Sequence, residues 1–183
     1  MSNIILQFTE SFQELKKTKT LIIVSMLLAL ATVLGFYTLP VSTYLKIGFS
    51  YIATELAGML FGPFVAGLMG GVADILKYMV RPTGPFFIGF TINGILAGML
   101  YGIILYRKTP TIKRIFMANL TVSVIVNLLL ATYFISFMYG TPFLALLPVR
   151  GIKELIMVPI ETLLYYSVIK TLSHAKVMVE LQR

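Results

Sequence analysis

Five cations, Lys46, Lys77, Arg81, Arg150 and Lys153, sit beside stretches that are otherwise almost wholly apolar. Asp74, Lys77 and Arg81 are spaced i, i+3, i+7, and Arg150, Lys153 and Glu154 share a helix face in the same way. Cations arranged like this suit an anion, either a carboxylate or a phosphate. A charge at the centre of a membrane helix costs roughly 2.5–3.5 kcal/mol, so such residues face a cavity or a partner. The alternative for each is snorkelling to the interface with a local pair such as Arg150 to Glu154. The first group leads into KYMVRPTGPFFIGFTIN, residues 77–93, which contains Lys77 and Arg81. Phe86 and Phe90 lie one turn apart with Asn93 nearby. Aromatic faces and one amide can clamp a flat heterocycle and pair with its edge, whereas Phe87 reads as lipid-facing.

That chemistry is recognition rather than bond-making. The single histidine, His174, falls in the C-terminal tail, and there is no Ser/His/Asp constellation, no HExxH and no Walker A loop. With no cysteine, disulfides and thiolate metal sites are excluded, and no cofactor or metal is expected.

The elements that position these residues follow from composition. Of 183 residues, 58% are hydrophobic and 12% charged, against about 25% charged in soluble domains. The fold class is therefore an all-α integral membrane protein, with one six-helix domain over residues 1–183. Residues 1–19 place Ile5, Phe8, Phe12 and Leu15 at helical spacing among charges, as an interfacial helix does. No secretory signal pattern is present there. Spanning helices are predicted at about 21–39, 48–61, 63–79, 85–106, 115–139 and 149–172. Pro40, Gly62-Pro63 and Gly140-Thr141-Pro142 supply the breaks, and Pro159 a kink. Gly94, Gly98 and Gly102 make a smooth stripe for close packing, while Glu55 and Glu161 read as deep structural residues.

Six spans put both termini on one side of the membrane. The termini and the loop after the fourth span carry ten cations, including Arg107, Lys108, Lys113 and Arg114, against five on the other side. The positive-inside rule then makes the termini cytoplasmic and the five site cations external. Pro82 ends the third span and Pro85 starts the fourth, whose N-terminal dipole adds to an outward anion site. On the first span, Ser25 with Ala29 and Ala31 with Gly35 form two small-residue pairs suited to close helix contact.

The segments PTGPFFIGFTINGILAGMLYGIILY and LPVRGIKELIMVPIE make the chain resemble the substrate-binding (S) components of energy-coupling factor vitamin transporters, in their folate branch. The likeness runs from about Lys19 to Leu172. It implies a bacterial plasma-membrane subunit that captures its vitamin outside, docks on a transmembrane coupling subunit with two ATPases, and topples to release the ligand inside. It also implies docking through a small-xxx-small motif on the first helix, with Ser25 and Ala29 as the matching pair and Ala31 and Gly35 as a second. Folate fits the pocket read from the residues. Its glutamate carboxylates suit Lys46, Lys77, Arg81, Arg150 or Lys153, its rings suit Phe86 and Phe90, and its pterin edge suits Asn93, Glu154 or Asp74, in that order. Other readings are an S component for a different anionic or heteroaromatic nutrient, such as a queuosine precursor, and an autonomous secondary transporter. No internal repeat of the kind such carriers show is visible.

Overall fold

A computed structural model describes the backbone of residues 4–42, 45–82 and 84–174, and the side chains within those ranges except 39–42, 45–47 and 174. The expected tail residues Lys176, Glu180 and Arg183 lie outside it.

Helix α1, Ile4–Glu14, turns Gln7 and Ser11 inward and leaves Ile4, Ile5, Leu6 and Phe12 exposed. Helix α2, Thr18–Phe36, is apolar all round and buries Thr20, Leu27 and Ala31. It stops ahead of Pro40, which cannot donate a helical hydrogen bond. The chain then forms a short antiparallel hairpin, β1 Leu39–Ser42 with β2 Leu45–Ile47, irregular between Pro40 and Ser42. This hairpin departs from a purely helical expectation. A proline at a strand edge and the β-branched Val41 and Ile47 favour extended backbone once the helix has ended.

Helices α3, Tyr51–Phe61, and α4, Pro63–Val80, are separated by Gly62 alone. Its φ of 87° is a left-handed value that glycine adopts without strain, and Pro63 suits the first turn that follows. Ser11 closes this turn from outside: its hydroxyl donates to the Phe61 carbonyl at 2.6 Å and accepts from the amides of Phe64 and Val65, each at 3.1 Å. One side chain thus satisfies an end of α3 and the start of α4.

Helix α5, Ile88–Leu105, lies against α4 with backbones in contact. A Cβ on Gly94 would stand 2.6 Å from the Gly70 carbonyl oxygen, and one on Gly98 or Gly102 would run into Ala66 or Pro63. The glycine stripe is what permits this approach.

Helix α6, Ile112–Val122, continues through a π-helical stretch, Ser123–Leu130, into α7, Ala131–Tyr139. Gly140, at φ 65°, ends it. Helix α8, Phe143–His174, begins six residues before the predicted start, with Pro148 inside it. Pro148 falls in the second turn, where its missing N–H removes one bond near the helix start rather than breaking the rod.

The core gathers Leu56, Phe61, Val65, Leu105, Ile115 and Tyr165. Large apolar side chains outside it are widely exposed, among them Leu144 and Leu155 at 77%. A soluble surface does not carry such a load, and lipid accepts it. Thr18–Phe36, Pro63–Val80, Ile88–Leu105 and Ile112–Tyr139 are each long and apolar enough to cross a membrane.

Candidate functional site

A cavity of about 520 Å³ opens where the C-terminal ends of α2 and α4 meet the starts of α3, α5 and α8. That size suits a drug-sized ligand.

Two cations come from α4. Lys77 lays its stem over Gly35, whose added Cβ would meet Lys77 Cδ at 2.7 Å, and its Nζ is 3.4 Å from Ser50 Oγ. Arg81 donates through Nη1 to the Phe36 carbonyl at 2.8 Å. Both therefore bind the end of α2 while lining the cavity. Asp74 lines it too and accepts from Thr91 Oγ1 at 2.9 Å.

The facing wall is α8. Arg150, 8% exposed, donates through Nη2 to the Asn127 carbonyl at 2.8 Å, and Lys153 Nζ is 2.7 Å from Glu154 Oε1. Glu154 Oε2 accepts from Ser123 Oγ at 2.7 Å and Asn127 Nδ2 at 3.3 Å. Ser123 and Asn127 both belong to the π-helical stretch, whose wide turn carries the Ala131 amide back to the carbonyl of Val126. Such wide turns are frequent at functional sites. Here it presents a hydroxyl, an amide and a carbonyl to α8 together.

The aromatic side comes from the start of α5. Phe86 packs on Tyr78 at 5.1 Å between centroids. Phe87 meets Phe90 at 6.0 Å, Phe134 at 5.4 Å and Phe137 at 6.2 Å. All three phenylalanines line the cavity, so Phe87 is part of the wall rather than a purely lipid-facing residue. Asn93 is buried below them and lines it as well.

Of the residues expected from sequence, the cavity brings together Lys77, Arg81, Phe86, Phe90, Asn93, Arg150 and Lys153. Glu154 stays behind the wall, held by Lys153, Ser123 and Asn127. Lys46 lies in β2, and its side chain is outside the described residues. Sequence reasoning passed over Tyr51, Asn127 and Glu161, which also line the cavity. For Glu161 the signal was present: a carboxylate within an apolar helix, seven residues after Glu154 and so on the same face. Glu55 is fully buried outside the lining.

On α2 the two small-residue pairs separate. Ser25 and Ala29 are exposed, beside the outward Ile22, Met26 and Val33. Ala31 is buried in the core and Gly35 is covered by Lys77.

A ligand-sized cavity with a cationic rim and aromatic wall, enclosed by lipid-facing helices, defines a membrane-embedded solute-binding protein. The chain belongs to the substrate-specific components of ECF transporters, whose family model matches residues 19–169. It is thus a transport component and a multi-pass membrane protein. Among its relatives is the folate transporter FolT of Clostridium novyi (strain NT), 30% identical over 164 residues, covering 90% of this chain and 95% of that one. FolT of Leuconostoc mesenteroides subsp. mesenteroides is 28% identical over 155 residues, covering 81% and 83%. A crystal structure of FolT bound with folic acid shares 37% identity and a TM-score of 0.77, over 83% of this chain and 93% of that one.

Proposed function

We propose that this protein is the high-affinity folate-binding S component of an ECF-type importer in a bacterial plasma membrane. The observation that carries the reading is one cavity uniting a rim of Lys77, Arg81, Arg150 and Lys153 with a wall of Phe86, Phe87 and Phe90, in a chain 37% identical to a FolT that holds folic acid. Folate has matching parts. Its glutamate tail presents two carboxylates to the rim, and its pterin and benzoyl rings stack on phenylalanine faces. Asn93 and Glu161 stand in the same cavity as partners for the amino-lactam edge.

In this reading the chain is a single domain whose six crossings are α2, α3, α4, α5, the α6–α7 rod and α8. The 11 residues of α3 extend only about 17 Å at ~1.5 Å each, so it crosses with the help of the loops at its ends. Excess cations at the α1–α2, α5–α6 and C-terminal side put the termini in the cytoplasm and the cavity mouth outside. The subunit performs no catalysis. Loaded with folate, it docks through α2 at Ser25 and Ala29 on a transmembrane coupling subunit, whose two ATPases supply the energy for release inside.

Equilibrium binding to the purified protein in detergent tests the assignment, with riboflavin, thiamine and biotin as controls. Saturable binding of folate in preference to the controls is expected; absence of saturable folate binding at micromolar ligand overturns it.

A further inference from the structure

The last turn of α2 ends among the cations of the candidate ligand cavity. An α-helix leaves its final four carbonyls without intrahelical donors, and the helix dipole makes cations favourable beside them. Side chains meet two of these carbonyls on α2. Thr38 Oγ1 donates to the Gly35 carbonyl at 2.7 Å, from the chain just beyond the helix. Arg81 donates to the Phe36 carbonyl at 2.8 Å, from α4, 45 residues further on. Lys77, one turn before Arg81, packs its stem on Gly35 in the same turn of α2. Gly35, Phe36, Lys77 and Arg81 all line the cavity.

The rim cations of α8 are tied differently. Arg150 bonds the Asn127 carbonyl and Lys153 pairs with Glu154, both within the wall that α8 forms with the π-helical stretch. The α4 pair instead joins the rim to α2, the helix whose Ser25 and Ala29 face carries the proposed docking. Only 17% of the α2 span is buried, against 33–44% in the other long apolar segments, so contacts at its end weigh heavily in holding it. A guanidinium has five N–H donors in a planar fork, and the bond to Phe36 uses one of them. One arginine can therefore hold a ligand carboxylate and the α2 carbonyl together. We propose that Arg81 is a bridging cap that reports occupancy of the cavity to α2, because a carboxylate held by Arg81 fixes the guanidinium that holds the last turn of α2. The identity of that carboxylate, the glutamate tail of folate, rests on the function proposed above. By linkage, whatever pins the end of α2 strengthens ligand binding by the same factor.

Amide hydrogen exchange of the full chain in nanodiscs, read by mass spectrometry, tests the bridge. Fragments covering residues 33–38 report the end of α2, and those covering 101–106, at the end of α5, serve as the internal control. Without ligand, Arg81→Ala is expected to speed exchange at the end of α2 about fivefold and to leave the end of α5 unchanged. Saturating folate is expected to slow the end of α2 about threefold in the wild type, and saturating pteroate, which lacks the glutamate tail, to slow it much less. In Arg81→Ala, folate at a concentration that saturates the variant is expected to leave that end unchanged. If Arg81→Ala does not fold, Arg81→Lys, which keeps the charge without the fork, is expected to speed ligand-free exchange about twofold. Equal ligand-free exchange in wild type and variant overturns the cap. Folate that binds but does not slow the end of α2 in the wild type, or slows it equally in Arg81→Ala, overturns the link to occupancy. Absence of folate binding overturns the folate reading and the link with it, and the ligand-free comparison still decides whether Arg81 caps α2.

Discussion

Ser123 donates to Glu154 Oε2 at 2.7 Å, joining the π-helical stretch to the α8 wall of the candidate ligand cavity. Glu154 is buried and also pairs with Lys153, so it fixes a rim cation without reaching the cavity itself. Glu154→Ala therefore removes charge-assisted hydrogen bonds worth roughly 1.5–3 kcal/mol. Folate affinity is expected to fall about 10- to 100-fold, with a lower melting temperature. Wild-type affinity in the variant would show that Lys153 needs no support.

The rim is expected to read the glutamate tail. Arg81→Ala and Lys153→Ala should each weaken a glutamate-tailed folate more than pteroate, which lacks that tail. Titration of both ligands against both variants decides the matter; equal losses for the two ligands would remove the carboxylate role of the rim.

Glu161 and Glu55 are expected to part company. Glu161 lines the cavity, so Glu161→Gln should weaken folate and pteroate alike, by about tenfold or more for loss of a charged hydrogen-bond acceptor. Glu55 lies outside the lining, fully buried, beside the side chain of Asn119. Glutamine keeps the shape and hydrogen-bonding capacity of this side chain without the cost of burying a carboxylate, so Glu55→Gln should bind folate normally and melt no lower than wild type. A reversed pattern in the two binding curves would return Glu161 to a structural role.

Ala29 is exposed whereas Ala31 is enclosed in the core. Ala29→Trp is expected to abolish uptake in cells while sparing folate binding in detergent. Ala31→Trp overfills the core and is expected to lower the melting temperature by itself. Normal uptake by the Ala29 variant would dismiss this face of α2 as the docking surface.

Ser11 serves three backbone groups at the α3–α4 turn. Ser11→Ala is expected to cost about 0.5–2 kcal/mol, the range of a lost helix cap, read as a lower melting temperature with folate affinity unchanged. A melting temperature equal to wild type would mean that water replaces the hydroxyl at the turn.

The sequence by itself determined a helical, lipid-embedded chain, because residue type decides whether a segment prefers lipid and because glycine and proline announce their own backbone demands. The Gly62-Pro63 break and the glycine stripe on α5 were legible for that reason. So were the two clusters of cations, since a helical period places Lys77 with Arg81 and Arg150 with Lys153 whatever surrounds them. Tertiary structure decided which side of each helix faces its neighbours. That rotation set Ser25 and Ala29 outward and Ala31 and Gly35 inward, although all four are small. On α8 the two glutamates share a face, and their neighbours rather than rotation set them apart: Glu161 reaches the cavity, while Ser123, Asn127 and Lys153 hold Glu154 behind it. The physical reason lies in packing. A helical period fixes relative positions within one rod, but the azimuth of that rod depends on backbone contacts between α4 and α5 and on the wide turn at Ser123–Leu130, features that join residues far apart in the chain.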